Sequence, residues 1–146
     1  MKKTVFTGMA TAMVTPMTPD GIDYEAFGRF IDFQIDSGIN ALVAVGTTGE
    51  SATIEPLDQT EVIRYTVERA AGRVPVIAGT GTNDTAHVLA NTKRACEAGV
   101  DGVLVVTPYY NKATQNGLIA HFTAVADVST VPVILYNVPG RTGCNL

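Results

Sequence analysis

The feature that most constrains the fold is an alternation of short apolar runs with helical patterns, which recurs about every thirty residues. The apolar runs predict five strands, at Thr11–Val14, Ala41–Val45, Val74–Ala78, Gly102–Val106 and Val131–Tyr136. Apolar residues at helical spacing predict helices over Tyr24–Ser37, from Pro56 until Gly72, from about Asp84 to Ala98 and from about Gln115 to Val128. A strand followed by a helix is therefore the repeating unit of the chain.

The predicted strands are apolar on both faces, as in Val103–Val106. Strands buried on both sides are typical of a parallel sheet that is covered by helices. Two α/β architectures fit this pattern. One is a doubly wound open sheet, complete with five strands. The other is a (β/α)8 TIM barrel, which needs about 250 residues and would make this chain an incomplete part of one.

Composition and charge exclude several classes of protein. Apolar residues make up 46% of the chain and charged residues 16%, which excludes intrinsic disorder. The apolar runs are too short to cross a membrane, so we expect no membrane partner. With a net charge of −4 and no basic stripe, we expect no nucleic-acid partner either.

The N-terminus and the cysteines predict a cytoplasmic protein. Lys2 and Lys3 are followed by no long apolar region and no small-residue cleavage site, so a signal peptide is not expected. Cys96 and Cys144 have no metal-type spacing and are interpreted as reduced thiols.

Ligands bind at the carboxyl ends of the strands in both architectures, which directs attention to the residues after each strand. The second strand is followed by Gly46–Ser51, where the hydroxyls of Thr47 and Thr48 and nearby backbone amides can hold a carboxylate. The third is followed by Gly79–Asn83. Gly79 and Gly81 resemble the first two glycines of a dinucleotide-binding fingerprint, but Asp84 stands where the third glycine would be. A tight turn with a polar helix cap is therefore favoured.

Phenols and a guanidinium follow the last two predicted strands. Tyr109 and Tyr110 are adjacent, and one of them can pack while the other offers its phenol to a site or to a neighbouring subunit. Tyr136 ends the fifth strand, where a phenol can move protons. Arg141 follows five residues later and can bind a carboxylate through two parallel hydrogen bonds.

Other polar groups offer weaker candidates. His87 and His121 fall inside predicted helices and are expected to be outward or packed. We expect no metal site, because no cluster of histidine, cysteine and carboxylate has metal-type spacing, and we expect no cofactor. A Ser-His-Asp nucleophile is not indicated, because the chain has no G-x-S-x-G motif.

Taken together, the motifs resemble the dihydrodipicolinate synthase / N-acetylneuraminate lyase family. The segments that carry the resemblance, in order, are Gly8–Pro16, Gly46–Ser51, Pro75–Asn83, Thr107–Asn111 and Tyr136–Gly143. The Tyr-Asn-Val-Pro-x-Arg-Thr pattern and the double threonine are more similar to the synthase branch than to the lyases. The resemblance covers essentially this whole chain but only about the first half of a family member. It implies a (β/α)8 TIM barrel, of which residues 1–146 would form about the first five strands and four helices.

The resemblance also implies a reaction and its residues. The synthase branch condenses pyruvate with aspartate semialdehyde through a lysine Schiff base, toward diaminopimelate and lysine. Matched position by position, Tyr136, Thr47 and Tyr110 would be catalytic and form a proton relay, with Tyr110 donated across a dimer interface. Thr48 would hold the pyruvate carboxylate, and Arg141 the carboxylate of the semialdehyde.

One departure from the family concerns the nucleophile. The family places its Schiff-base lysine at the end of the sixth strand, and none of the lysines of this chain matches that position: they are Lys2, Lys3, Lys93 and Lys112. We therefore expect an incomplete N-terminal part of a barrel, inactive alone, from an enzyme that assembles as a dimer of dimers. The alternatives are a sister pyruvate-dependent aldolase and a non-enzymatic flavodoxin-like binding domain.

Overall fold

The computed structural model describes residues 4–146 of the chain. Residues 1–3 lie outside the described residues, and so does the prediction about a signal peptide, which rests on Lys2 and Lys3. The strands are β1 (Ala10–Ala12), β2 (Met17–Thr18), β3 (Gly21–Ile22), β4 (Ala41–Ala44), β5 (Val76–Gly79), β6 (Gly102–Val106) and β7 (Val133–Tyr136). The helices are α1 (Tyr24–Asp36), α2 (Pro56–Ala70), α3 (Thr85–Glu97), α4 (Gln115–Val128) and α5 (Pro139–Thr142).

The main sheet has five strands in the order β1-β4-β5-β6-β7, and every neighbouring pair is parallel. The strand order therefore follows the chain without a reversal. A doubly wound sheet reverses its order at a switch point, so that alternative, and with it the flavodoxin-like domain, is wrong. A sequential parallel order is the arrangement of the strands in a (β/α)8 barrel.

Helices cover one face of this sheet, and apolar side chains also cluster on the other. The larger core lies between strands and helices and includes Phe27, Ile31, Leu42, Val62 and Val103. A smaller cluster on the opposite face contains Ala41, Val43 and Ile77, with Leu104 and Ile134 packed against it. Alternate residues of β4, β5 and β6 thus enter different clusters, which confirms burial on both sides for these central strands. The outer strands β1 and β7 are only partly buried.

Most strand boundaries differ by a few residues from those predicted. The sequence predicts Thr11–Val14, whereas β1 covers Ala10–Ala12, because its pairing is limited by the short β4. Strands β5 and β7 begin directly after Pro75 and Pro132 rather than before them. Proline has no N–H to donate, so each enters the ladder only through its carbonyl, which accepts from Leu42 or Val103 at 3.0 Å.

Helix boundaries agree closely with the sequence, because the caps are local. Asp84 precedes α3, and its carboxylate accepts from the Ala86 amide at 2.9 Å. The α2 helix begins with Pro56, and Glu55 makes no side-chain cap. The sequence did not predict the β2–β3 hairpin or α5. Each strand of the hairpin has two residues, and α5 has four. Elements this short leave no periodic pattern.

Candidate active site at the carboxyl edge of the sheet

The turn after β4 leaves the sheet through a strained residue. Val45 is buried and adopts φ 56°, a left-handed conformation that is rare for a β-branched residue. Two 3-10 turns follow, Thr47–Gly49 and Ser51–Thr53. The buried Thr15 hydroxyl donates to the Gly49 carbonyl at 2.9 Å and fixes the first turn to the segment after β1. Thr47 and Thr48 are therefore exposed on a turn that is held by β4 on one side and by the Thr15 hydrogen bond on the other.

Two glycines let neighbouring strand ends approach closely. A Cβ on Gly79 would lie 2.5 Å from the Val45 carbonyl oxygen, and one on Gly81 would lie 2.4 Å from the Val106 nitrogen. No other residue fits either position without a backbone shift. Together with the Asp84 cap, these contacts confirm the interpretation of this segment as a tight strand-to-helix turn.

The loop after β6 carries the two adjacent tyrosines, and they differ in exposure. Tyr109 is 38% exposed, and Tyr110 is 87% exposed with φ 72°. The Tyr110 amide donates to the Thr142 carbonyl at 3.3 Å, and the Asn111 side chain donates to the Asn83 carbonyl at 2.7 Å. The loop is therefore tied to both neighbouring loops while the Tyr110 phenol faces solvent.

The segment after β7 carries the other phenol and the guanidinium. Tyr136 is the last residue of β7, and its carbonyl accepts from the Thr107 amide at 3.1 Å. The chain then turns through α5, on which Arg141 is exposed and Thr142 is buried. Gly143 ends α5 with φ 66°, as glycine commonly does after a helix.

Two cavities open at this edge of the sheet. The first, about 290 Å³, lies between the loops after β4 and β5, with Gln59, Thr80, Asn91 and Tyr109 among its lining residues. The second, about 400 Å³, lies between the loops after β6 and β7. Its lining consists of Tyr109, Tyr110, Lys112, Arg141, Thr142 and Gly143.

The structure places all five predicted site residues at one edge but brings only two of them into one cavity. Tyr110 and Arg141 line the second cavity together. Thr47, Thr48 and Tyr136 line neither cavity, and two strands separate β4 from β7. Within residues 4–146, none of the five side chains makes a hydrogen bond to another. The predicted relay between Thr47 and the two phenols is therefore not closed by these residues.

Sequence reasoning assigned no role to the other four residues of the second cavity, Tyr109, Lys112, Thr142 and Gly143, although it considered Tyr109 together with Tyr110. Each lies within two residues of a predicted site residue, so proximity along the chain was the available signal. Lys112 adds a second cation beside Arg141. Neither cation forms an ion pair within residues 4–146. The cavity therefore combines phenols with positive charge, which suits an anionic ligand.

The histidines lie outside both cavities and differ in environment. His87 is exposed, and its Nδ1 lies 2.9 Å from an Asp84 carboxylate oxygen. His121 is buried, and its Nδ1 lies 2.8 Å from the Thr85 hydroxyl, while its Nε2 has no partner among the described residues. Burial lowers the pKa of His121, because a charged imidazole loses its hydration there.

Two absences concern the described residues as a whole. No cluster of three or more histidine, cysteine or carboxylate side chains in residues 4–146 could hold a metal ion. No helix in that range is long and apolar enough to cross a membrane. The hydroxyls and cations at this edge can transfer protons and bind carboxylates.

Comparison with known proteins identifies the relatives of this chain. The sequence matches the profile of the Dihydrodipicolinate synthetase family over residues 5–146. A protein of Methylococcus capsulatus named 4-hydroxy-tetrahydrodipicolinate synthase is 56% identical over 140 residues, which are 95% of this chain and 48% of that protein. A protein of Acetivibrio thermocellus with the same name is 51% identical over 146 residues, which are 100% of this chain and 50% of that protein. The chain therefore spans about half the length of these curated relatives.

A solved structure agrees with this similarity. The chloride-inhibited dihydrodipicolinate synthase of Acinetobacter baumannii, complexed with pyruvate, superposes with a TM-score of 0.94 at 46% identity. The match covers 98% of this chain and 49% of that chain. Matches of this kind confirm the predicted fold: the five parallel strands correspond to about the first half of a TIM barrel, which is not closed in this chain.

Proposed function

The chain belongs to the dihydrodipicolinate synthetase family, and we propose that it forms the first part of a 4-hydroxy-tetrahydrodipicolinate synthase. The proposed enzyme is a lyase of the class I aldolase type, which condenses pyruvate with L-aspartate semialdehyde in diaminopimelate and lysine biosynthesis. The observation that carries the proposal is the 56% identity to a named synthase over 95% of the chain. The position of the hydroxyls and of Arg141 at one edge of the sheet supports it.

In this proposal, three hydroxyls move protons during formation of the Schiff base. Tyr136 is the shuttle, Thr47 links it to a second phenol, and Tyr110 supplies that phenol from a neighbouring subunit. A free phenol has a pKa near 10, so a chain of hydroxyls helps it to exchange a proton at neutral pH. The 87% exposure of Tyr110 supports this role, because its phenol makes no hydrogen bond within residues 4–146 and can reach another subunit.

The substrate carboxylates are assigned to two different loops. Thr48, on the turn after β4, holds the carboxylate of pyruvate through its hydroxyl and nearby amides. Arg141, on the wall of the second cavity, holds the carboxylate of the semialdehyde. The guanidinium suits this role, because its planar fork matches a carboxylate with two hydrogen bonds. Arg141 thereby favours a small acidic aldehyde over the neutral aldehyde of a sister aldolase.

The nucleophile is assigned to the second half of the family-length protein. A lysine amine attacks the pyruvate carbonyl carbon, water leaves, and the iminium withdraws electrons from the methyl carbon. Lys93 is an exposed residue of α3, and Lys112 lies in the loop after β6, so neither ends a strand. We therefore propose that residues 1–146 form part of a single barrel domain and form no pyruvate adduct alone. The family-length protein is proposed to be a cytoplasmic dimer of dimers.

Borohydride trapping tests this proposal. The test compares this chain with a family-length protein, made by joining it to the second half of the Methylococcus capsulatus relative. Each protein is mixed with pyruvate and reduced with borohydride, and its intact mass is measured by mass spectrometry. We expect one reduced pyruvate adduct on the family-length protein and none on the short chain. The intact relative is the positive control, and circular dichroism checks that the joined protein is folded.

Two outcomes would contradict the proposal. An adduct on the short chain, lost in Lys112→Gln, would make Lys112 the nucleophile and move the active site to the second cavity. A folded family-length protein without an adduct, beside a relative that is trapped, would remove the aldolase function from this chain.

A further inference from the structure

Tyr110 and Arg141 belong to different loops, yet the proposed reaction needs both at fixed positions. Tyr110 lies in the loop after β6, and Arg141 lies on α5, after β7. Both side chains are exposed, and neither makes a side-chain hydrogen bond within residues 4–146. Their positions therefore depend on how their backbones are held.

A single backbone hydrogen bond joins these two segments at Tyr110. Its amide donates to the Thr142 carbonyl at 3.3 Å, near the long end of the range for such bonds. Tyr110 also has φ 72°, which costs free energy for a residue that is not glycine. The position of Tyr110 is thus sensitive to any movement of the Thr142 carbonyl.

The hydroxyl of Thr142 holds that carbonyl in place. Thr142 is 6% exposed, and its Oγ1 lies 3.0 Å from the Cys144 carbonyl and accepts from the Cys144 amide at 3.3 Å. Oγ1 also lies 3.1 Å from the Val138 carbonyl, which already accepts from the amides of Arg141 and Thr142. The single hydrogen of the Thr142 hydroxyl is therefore better directed to the Cys144 carbonyl. The resulting hydrogen-bonded ring encloses Gly143, the residue with left-handed φ between Thr142 and Cys144.

We propose that Thr142 is a positioning residue for two groups, the Arg141 guanidinium and the Tyr110 phenol that its chain presents to a neighbouring subunit. Its hydroxyl fixes the turn that carries Arg141, and its carbonyl fixes the amide of Tyr110. The proposal rests on the proposed function and adds to it that recognition of the anionic aldehyde depends on a buried hydroxyl that does not touch the substrate. Pyruvate, assigned to the turn after β4, does not depend on it.

Steady-state kinetics of the family-length protein test this role. Thr142→Val keeps the shape of the side chain and removes the hydroxyl. We expect its KM for aspartate semialdehyde to rise about tenfold, as for the loss of one hydrogen bond. Its kcat should fall as Tyr110 moves, while the KM for pyruvate should change less than about twofold. Thr142→Ser restores the hydroxyl and should restore both values.

Thr123→Val is the matched control, because it makes the same change on an exposed face of α4. Hydrogen exchange of the Tyr110 amide gives a readout that does not require turnover. It should become faster in Thr142→Val than in the unaltered protein, Thr142→Ser or Thr123→Val, because the bond to the Thr142 carbonyl is weakened.

The outcomes separate this proposal from the proposed function. If the unaltered family-length protein traps no pyruvate, the proposed function fails, while exchange at Tyr110 still tests the positioning. If Thr142→Val has an unchanged semialdehyde KM and unchanged Tyr110 exchange, Thr142 has no positioning role. A lower melting temperature with an equal rise in the KM of both substrates would also overturn the proposal, because it would make Thr142 merely structural.

Discussion

Val45 shows how a single residue directs the candidate site. A buried β-branched side chain at φ 56° costs about 1–3 kcal/mol, which the surrounding structure must offset. The strain turns the backbone out of β4 so that Thr47 and Thr48 face solvent at the carboxyl edge. Tyr110 and Lys112 also have positive φ and lie at the same edge. Strained residues that are not glycine therefore concentrate where the proposed chemistry takes place.

Tyr136→Phe tests the proton shuttle at the residue scale. The change removes the phenolic hydroxyl and keeps the ring, and we expect kcat of the family-length protein to fall about a hundredfold or more, as for loss of a general acid–base group. Steady-state assays with both substrates measure the effect. Tyr24→Phe is the control, because Tyr24 is the first residue of α1 and its ring packs against Tyr65 of α2 rather than lying at a strand end. An unchanged kcat in Tyr136→Phe would contradict the assigned role.

His121 predicts a pH dependence of stability. Its folded-state pKa is lowered by burial, so the unfolded state binds the proton more readily. The free energy of unfolding should therefore be highest above about pH 6.5, the ordinary histidine pKa, and should fall as the pH decreases from there toward the folded-state pKa.

Urea unfolding of the family-length protein near pH 7.5 and near pH 5.5 measures this change. The unaltered protein should lose more free energy of unfolding on acidification than His121→Asn, whose amide can still bond the Thr85 hydroxyl. Asp84 and His87 form an exposed pair at the start of α3, so His87→Asn should behave like the unaltered protein. Equal losses in all three proteins would exclude His121 as the cause.

At the scale of elements, close packing of neighbouring strand ends builds the carboxyl edge. Gly79 of β5 lies against the Val45 carbonyl after β4, and Gly81 lies against Val106 of β6. The ends of β4, β5 and β6 are thereby in close backbone contact. The backbone hydrogen bonds from Thr107 to Tyr136, the last residue of β7, and from Tyr110 to Thr142 continue this arrangement. The loops are therefore positioned by the sheet as well as by their own turns.

Gly79→Ala tests this packing. The added methyl would lie 2.5 Å from the Val45 carbonyl oxygen, which is backbone and cannot rotate away. We expect the family-length protein to lose about 1–3 kcal/mol of stability in urea unfolding, as for overpacked sites. Gly140→Ala adds the same methyl where no heavy atom lies within 4 Å and should have little effect. Equal stability of the two variants would contradict the close approach.

At the scale of the whole molecule, the sheet ends at two open edges. Within the described residues, β1 pairs only with β4, and β7 pairs only with β6. Leu135 and Tyr136 of β7 are 48% and 42% exposed. An unpaired, apolar edge is a site for pairing with a further strand. Such an edge fits the proposal that these residues are part of one larger barrel.

Hydrogen exchange tests that proposal. The carbonyls of Pro132 and Tyr136 accept from Val103 and Thr107, so the amides of Val133 and Leu135, at the alternate positions, point to the open edge of β7. Their exchange, compared between the short chain and the family-length protein, should show whether this edge gains a partner. We expect slower exchange across β7 in the family-length protein, because a neighbouring strand restricts opening. The β5 amides, already between two strands, are the internal control. Equal exchange of β7 in both proteins would argue against a single barrel domain.

The sequence by itself determined the alternation of strands and helices, the burial of the central strands on both faces and the helix starts near Asp84 and Pro56. These properties depend on residues close together along the chain. It also predicted that Thr47 and Tyr136 lie at the same edge, because parallel strands all end on one side. The motifs further predicted the family, which the comparisons confirmed.

Only the tertiary structure decided the strand order, which local patterns left open between a doubly wound sheet and a barrel. It alone placed Gly79 against Val45, Tyr110 beside Arg141 and His121 in a buried position. The physical reason is that each of these contacts joins segments far apart in the chain. They form through packing across the whole sheet, which no short window of sequence encodes.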